Sequence, residues 1–392
     1  MRELFNKKEF MYPVAAGVVF IILLMTIRTI TPEEGIERKL DLKYYLEMAE
    51  ASPGINTDVI PPFKYRILLP WLAGLLQNPV AGFYFLMLMG FIVQGAAFIL
   101  YFKDRYGTES SSLAYVFLLL NAQISVFLIQ NPYNVVDLYV SAFTILFLLL
   151  LKKGKITWAV TVLLACVFIK ENFIIMAAGG LVLLKKREKN TKRVKLLLAG
   201  SMVSLIIAVL IRLLIDGSGS GYLMEQVSVH VPEKLNDPLI LLKTLIGPAV
   251  FILPLLIIFA DRISQYLREN KELAVIFSLT FFSTFWGAND ARLMTGAGVF
   301  YYGFVAAVFK DILSSDRVTG SKAEMRAEML IGLMIIVNLA AVLMTNRNSI
   351  LWYGENITIQ IYIAALAVIT AVAIYLKFDI TRREKIQVTE KS

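Results

Sequence analysis

Apolar runs about as long as a membrane is thick recur throughout this chain, and they restrict its fold more than any other feature. A helix needs roughly 20 mostly apolar residues to cross a ~30 Å hydrocarbon layer. Such runs fall at about 12–30, 79–102, 112–129, 135–151, 156–169, 173–184, 195–215, 241–260, 273–287, 293–309, 329–345 and 357–377. The stretches between them are too short for a separate soluble domain. Of the 392 residues 58% are hydrophobic, with a mean hydropathy of +0.68, whereas soluble domains sit near 45–50% apolar. The excess has to be buried in lipid. The pattern predicts an all-α polytopic transmembrane bundle of about twelve helices, forming a single transmembrane domain over residues 1–392.

The net charge of +9 is not a nucleic-acid footprint. Lys and Arg are confined to short loops between apolar runs, the pattern of cytoplasmic membrane loops. Lys7-Lys8, Lys103/Arg105, Lys152–Lys155, Lys185–Lys195, Arg262–Lys271, Lys310–Arg326 and Arg382–Lys385 are all placed inside, so both termini are expected in the cytoplasm of a plasma-membrane protein. The segment Tyr12–Ile27 follows a basic stretch as a signal peptide would. No small-x-small cleavage site comes after it, and it reads as an uncleaved first helix. Cys166 is the single cysteine and His230 the single histidine. That removes an internal disulfide and any multi-histidine metal site, and no motif requires a cofactor.

Placing Lys152–Lys155 and Lys185–Arg187 on the same side has a consequence for the chain between them. It must cross an even number of times, yet its roughly 29 residues are too few for two full spans. A short helical hairpin with Lys170-Glu171-Asn172 at its tip satisfies both conditions. Irregular backbone at membrane depth is tolerated only against protein or a wet cavity, so the tip is expected to line one.

The first outer loop, within residues 31–78, has structure of its own. Leu42, Tyr45, Leu46 and Ala49 follow the i, i+3, i+4, i+7 spacing of an amphipathic helix, with Asp41 one turn before Tyr44 and Tyr45. Ser52-Pro53-Gly54 ends that helix and Pro61-Pro62 keeps the next stretch extended. A second short helix follows around Tyr65-Arg66-Ile67-Leu68-Leu69-Pro70-Trp71. Two interfacial helices are expected here.

Polar clusters from distant parts of the chain map to this same side: Asp41 with Tyr44 and Tyr45; Tyr65-Arg66; Asp137, just after Asn131-Pro132-Tyr133-Asn134; Lys170-Glu171; and Asp290 with Arg292. A charge at membrane depth costs about 2.5–3.5 kcal/mol or more, so such residues tend to face a cavity and to be functional. A carboxylate at the water edge can act as general base on a hydroxyl. Nearby cations can hold a phosphate and stabilise the charge that develops as it leaves. Sugar transfer from a lipid-phosphate carrier needs both functions.

The string Asp41-Leu42-Lys43-Tyr44-Tyr45-Leu46-Glu47-Met48-Ala49, followed by Pro62-Phe63-Lys64-Tyr65-Arg66-Ile67-Leu68-Leu69-Pro70-Trp71-Leu72-Ala73, resembles the first outer loop of GT-C-type glycosyltransferases. The motif likeness covers about 60 residues and the helix layout the whole chain. The resemblance implies many membrane helices, two surface helices in this loop and an acidic base soon after the first span. It also implies a polyprenyl-phosphate sugar as donor and a glycan, lipid or protein acceptor, within a membrane-lipid environment. Asp41 takes the base position. Tyr44, Tyr45, Tyr65, Arg66, Asp137, Lys170, Glu171, Asp290 and Arg292 become candidate substrate contacts. One departure stands out: many members carry paired acids in this loop, and here Asp41 is followed by Leu42. No metal site is assigned, and whether a divalent ion takes part stays open.

Each assignment has a structural rival. Asp41 can pair with Lys43 or Arg38, Arg66 can snorkel to headgroups, Lys170 can neutralise Glu171, and Asp290 can pair with Arg292. At the level of function the rivals are a transporter or lipid flippase, for which twelve helices and a broken hairpin are also apt, and a non-catalytic GT-C-like relative.

Overall fold

The computed structural model describes residues 7–37, 41–187, 191–216, 221–286, 293–319 and 321–391. Each predicted apolar run contains a helix, and the described residues include no strand. Among them seven helices are long and apolar enough to cross a membrane. The helices Thr108–Leu119 and Ala122–Gln130 meet at a bend of 54° and, counted together as one broken span, bring the number to eight. The remaining runs form the shorter helices Met11–Thr26, Ile156–Val167, Phe173–Lys185 and Lys271–Ser283. The chain is a multi-pass α-helical membrane protein.

The first half of the chain builds the frame of the site. In order, α1 spans Lys7–Thr26, α2 Pro32–Glu37, α3 Leu42–Glu50, α4 Leu68–Gly74, α5 Pro79–Tyr106, α6 Thr108–Leu119, α7 Phe127–Gln130, α8 Val135–Lys152, α9 Ile156–Val167, α10 Phe173–Arg187, α11 Thr191–Asp216 and α12 Gly221–Asn236. The start of α5 is written locally. The Asn78 side-chain oxygen accepts from the N–H groups of Val80 and Ala81 at 3.0 and 3.3 Å, and Pro79 fills the first helical position, where its missing N–H costs nothing.

The span containing α8 is central: 83% of its apolar window is buried in protein, against 17% for the span of α11. That difference assigns α8 to the core and α11 to the lipid-facing rim. Small residues let helices approach, as expected where lipid supplies no hydrophobic drive between them. A Cβ on Gly90 of α5 would lie 2.7 Å from Leu138 of α8. Beside it the Gln94 amide donates to Ser141 Oγ at 2.8 Å, pairing two buried polar groups.

Segments assigned to one side by their charge touch one another. Arg105 donates to the Glu269 carbonyl and to Asn270 Oδ1, at 2.8 and 2.7 Å. Lys152 lies 3.1 Å from Asp104, and Lys377 donates to Asp261 at 2.7 Å. At the opposite end Ile30 N–H donates to the Gln130 carbonyl, Arg28 N–H to the Asn348 carbonyl, and Leu68 N–H to the Phe168 carbonyl, at 2.8, 2.7 and 3.0 Å.

The bend between α6 and α7 has a defined cause. Buried Asn121 stops α6 and caps a five-residue π turn, Ala122–Val126, by accepting from the N–H groups of Gln123 and Ile124 at 2.9 and 2.8 Å. Its amide donates to the Pro248 carbonyl and to the Tyr302 hydroxyl, at 2.7 and 2.8 Å. All its hydrogen bonds are thus spent on holding the break. Such π turns recur at functional sites.

One segment differs from its sequence reading. The stretch Asp216–Ile240, read as a loop, contains the 16-residue helix α12. Its apolar positions are too few to announce a helix, and Pro232 lies within it. Packing against Thr284–Trp286 supplies what propensity lacks: Lys234 is buried there and donates to the Thr284 carbonyl. His230 contacts Glu233 at 3.2 Å. Residues 217–220 of the Gly-Ser stretch lie outside the described residues.

Candidate functional site

The predicted hairpin forms. Helices α9 and α10 are joined by a tight turn in which the N–H groups of Ile169 and Lys170 both bond to the Cys166 carbonyl, at 3.0 and 2.9 Å. Residues 168–172 sit at its tip, pinned to the start of α4 through the Leu68–Phe168 backbone bond. The tip therefore meets the first loop, which brings residues more than a hundred positions apart to one place.

The first loop presents its side chains through packing of α3 on α4. The buried face of α3 is Leu42, Tyr45, Met48 and Ala49, close to the predicted stripe. Gly74 is required at the contact, because a Cβ there would land on the Ala49 carbonyl. Ser52 Oγ and Trp71 Nε1 tie the following turn, donating to the Trp71 and Pro53 carbonyls at 3.1 Å each.

Phe63, which the sequence reading passed over, is the hub between the two elements. Tyr44 stacks on its ring at 4.7 Å between centroids, Tyr45 meets it edge-on at 5.3 Å, and the Arg66 guanidinium lies over it at 5.7 Å. Arg66 is only 8% exposed. It donates to the Tyr45 hydroxyl at 3.1 Å and its Nη2 is 3.8 Å from Glu171. Its Nε–H is buried and has no partner among the described residues.

Glu171 is shared between two guanidiniums. Its second oxygen accepts from Arg212 at 3.1 Å, and the Arg212 guanidinium lies 5.4 Å from the Tyr65 ring centre. Arg212 was not singled out from sequence, though a signal existed. It is a lone charge in an otherwise apolar stretch of α11, and such residues find partners inside the bundle. Burial alone would raise the Glu171 carboxyl, but Arg66 first, then its own backbone N–H, Arg212 and Lys170 hold it below the usual carboxylate range. Burial works against the Arg66 cation too. Tyr45 and Glu171 outweigh it, so the guanidinium stays charged.

Lys170 and Glu171 do not neutralise each other. Lys170 donates to Asp137 at 2.6 Å, with both side chains buried. Asp137 stands in the first turn of α8, where the helix dipole favours an anion. Asp41 leads into α3, half-buried, with its carbonyl accepting from the Tyr45 N–H at 3.4 Å. It is one turn from the tyrosine that holds Arg66. Asp290 and Arg292 lie outside the described residues. Thus Tyr45, Tyr65, Arg66, Asp137, Lys170 and Glu171 are brought together, with Tyr44 on the same helix as Tyr45 and Asp41 at its start.

Among the described residues of this cluster, ion pairs join three cations (Arg66, Lys170, Arg212) to two anions (Asp137, Glu171). Together with a buried unpartnered donor, that is an arrangement suited to an anionic ligand group. Among the described residues no three His, Cys, Asp or Glu side chains come close enough to hold a metal.

No protein-family model matches this chain, and no curated protein does. Two solved structures share its fold, both of ArnT from Cupriavidus metallidurans. The apo form aligns at a TM-score of 0.51 with 12% sequence identity, covering 95% of this chain and 75% of that one. The form bound to undecaprenyl phosphate aligns at 0.50 with 13% identity and the same coverage. The all-α, multi-pass architecture expected from the sequence is the one these structures share with this chain.

Proposed function

We propose that this protein is a membrane glycosyltransferase. It moves a sugar from a polyprenyl-phosphate carrier to an acceptor hydroxyl on a glycolipid, surface polymer or protein at the outer face of the plasma membrane, with both termini cytoplasmic. The observation that carries this reading is Arg66: a buried guanidinium that shares Glu171 with Arg212 and whose Nε–H has no partner among the described residues. A buried donor of this kind is normally satisfied, and a phosphate oxygen would satisfy it. The shared fold with a structure that holds undecaprenyl phosphate supports the choice of anion.

In the proposed reaction the acceptor oxygen forms a bond to the anomeric carbon as the carbon–oxygen bond to the carrier phosphate breaks. The hydroxyl proton passes to the Asp41 carboxylate. The bonding pair stays on the phosphate oxygen, where Arg66 and Arg212 stabilise the new charge. Glu171 orients the two guanidiniums, and the Lys170–Asp137 pair anchors the hairpin tip that carries it. Arg292 is kept as a further phosphate contact on sequence grounds. The test is Asp41→Asn in purified, reconstituted protein. It should abolish sugar transfer while leaving undecaprenyl-phosphate binding intact; retained turnover removes Asp41 as the base.

One observation favours transport instead. At the opposite end of the bundle Glu272 is buried, accepting from the Tyr101 hydroxyl at 2.7 Å, with its second oxygen unpartnered among the described residues. A transport path needs ionisable groups at both ends. Single cysteines placed at Tyr65 and at Tyr101, which contacts Glu272, separate the readings, since labelling of both from both sides would favour transport.

A further inference from the structure

A cleft of about 390 Å³ opens beside the bend between α6 and α7, at the same end as the charged cluster but apart from it. That volume falls in the ~300–1,000 Å³ range of small-molecule sites. None of the cluster's ionic residues lines it. Its lining has a different chemistry. Ala122, Phe127 and Val342 give apolar surface, Tyr362 contributes a ring, and Gln130, Asn131, Asn346 and Asn348 contribute four amides.

The amides are only partly used. Gln130 donates to Asn346 Oδ1, which also accepts from Asn348 N–H at 2.9 Å, and the Asn131 amide donates to the Phe127 carbonyl at 3.0 Å. Among the described residues, Gln130 Oε1, Asn131 Oδ1, Asn346 Nδ2 and the Asn348 amide have no protein partner. Acceptors and donors thus stand side by side around an uncharged floor. Arg347, exposed and without an ion pair among the described residues, supplies further donors at the rim. A pyranose ring presents hydroxyls that both donate and accept, at its edge, and C–H groups that suit an aromatic or aliphatic surface, on its faces.

We propose that this cleft binds a neutral sugar residue of the acceptor. The assignment rests on the glycosyltransferase reading. The segment Asn131–Asp137 links the cleft to the charged cluster, and six residues of mostly helical chain span about 10 Å. The cleft shares no lining residue with the partners of Arg66 (Tyr45, Phe63 and Glu171), which sets it apart from a donor sugar bonded directly to a phosphate there. It suits the adjoining part of an acceptor glycan.

The bend makes the cleft. Asn121 breaks the span and the π turn carries Ala122 and Gln123 sideways. Gln123 is accommodated by Gly247, where any Cβ would run into its side-chain amide.

The test is saturation-transfer NMR on the full chain in nanodiscs prepared without glycoside detergents. The probes are the methyl α- and β-pyranosides of glucose, galactose, mannose and N-acetylglucosamine. At least one probe should bind, and Asn346→Leu and the exposed Arg347→Ala should each weaken it at least fivefold. Arg66→Gln should leave probe binding unchanged while abolishing transfer. Absence of binding by every probe overturns the proposal, as does binding that survives both cleft variants. Displacement of the probe by a short-chain polyprenyl-phosphate glucose would give the cleft to the donor and overturn the acceptor assignment. Probe binding without any transfer by the native protein would remove the enzymatic reading and leave a sugar-binding cleft.

Discussion

The Lys170 ammonium sits 2.6 Å from the Asp137 carboxylate, with both side chains buried between the hairpin tip and the first turn of the central helix. The pair spans 33 residues of chain and holds the turn that presents Glu171 to Arg66 and Arg212.

Removing one member of a buried ion pair costs about 3–5 kcal/mol, because the other charge is stranded, whereas replacing both by apolar groups is often neutral. Asp137→Leu alone should therefore lower thermal stability strongly, and Asp137→Leu with Lys170→Met should recover most of the loss. Thermal unfolding of the detergent-solubilised protein checks this. A double variant as unstable as the single one would show that the two charges act separately.

Arg66 tests the anion site. Arg66→Gln should reduce undecaprenyl-phosphate affinity at least tenfold, and Arg212→Gln somewhat less, since Arg212 is more exposed. Tyr45→Phe removes one hydrogen bond to the guanidinium, worth about 0.5–1.5 kcal/mol, so its effect should be a few-fold. Native mass spectrometry with added lipid can rank the three. Equal affinities throughout would place the phosphate elsewhere.

Glu171 makes the cluster sensitive to acid. Its carboxyl lies below the ordinary range in the folded protein, so the unfolded chain binds the proton more readily. The stabilisation is fully present above the unfolded value of about 4.3 and is lost as pH falls through the lower folded value. Stability should stay level between about pH 6 and 5 with respect to this group and fall below about pH 4. Glu171→Gln should flatten that acid limb. The side chain is partly exposed, so salt will shrink the effect.

Gly74 tests how the first loop places the site. Gly74→Ala puts a methyl group on the Ala49 carbonyl, a backbone atom that cannot swing away. Overpacking of this sort costs about 1–3 kcal/mol, and here it should separate α3 from α4. Lipid-phosphate binding should fall although no binding group is altered. Gly17→Ala meets nothing nearby and serves as the silent control.

What could be read from the sequence is what depends on neighbours along the chain. Apolar run length marked the spans, basic clusters grouped the loops that touch in the fold, and the interruption at Lys170-Glu171-Asn172 foretold the hairpin turn. The i, i+3, i+4 stripe of α3 was visible for the same reason: one face of a helix is a local property. Two lapses are also local in origin. Helix α12 is too polar to announce itself, and Arg212 was hidden by the apolar residues around it.

Partnership was not legible. Lys170 and Glu171 are adjacent and opposite in charge, and from sequence their mutual neutralisation was as good a reading as any. Only the docking of the hairpin against α8, α11 and the first loop decides that Lys170 turns to Asp137 and Glu171 to Arg66 and Arg212. The cleft at Asn346 and Asn131 likewise exists only because Asn121 bends a span that, as a string of residues, reads as straight. Hydrophobic length is set residue by residue, but a buried charge or amide takes its partner from whatever the packed helices bring within about 3 Å. The one determines that this chain lives in a membrane; the other decides where an anion and a sugar could meet in it.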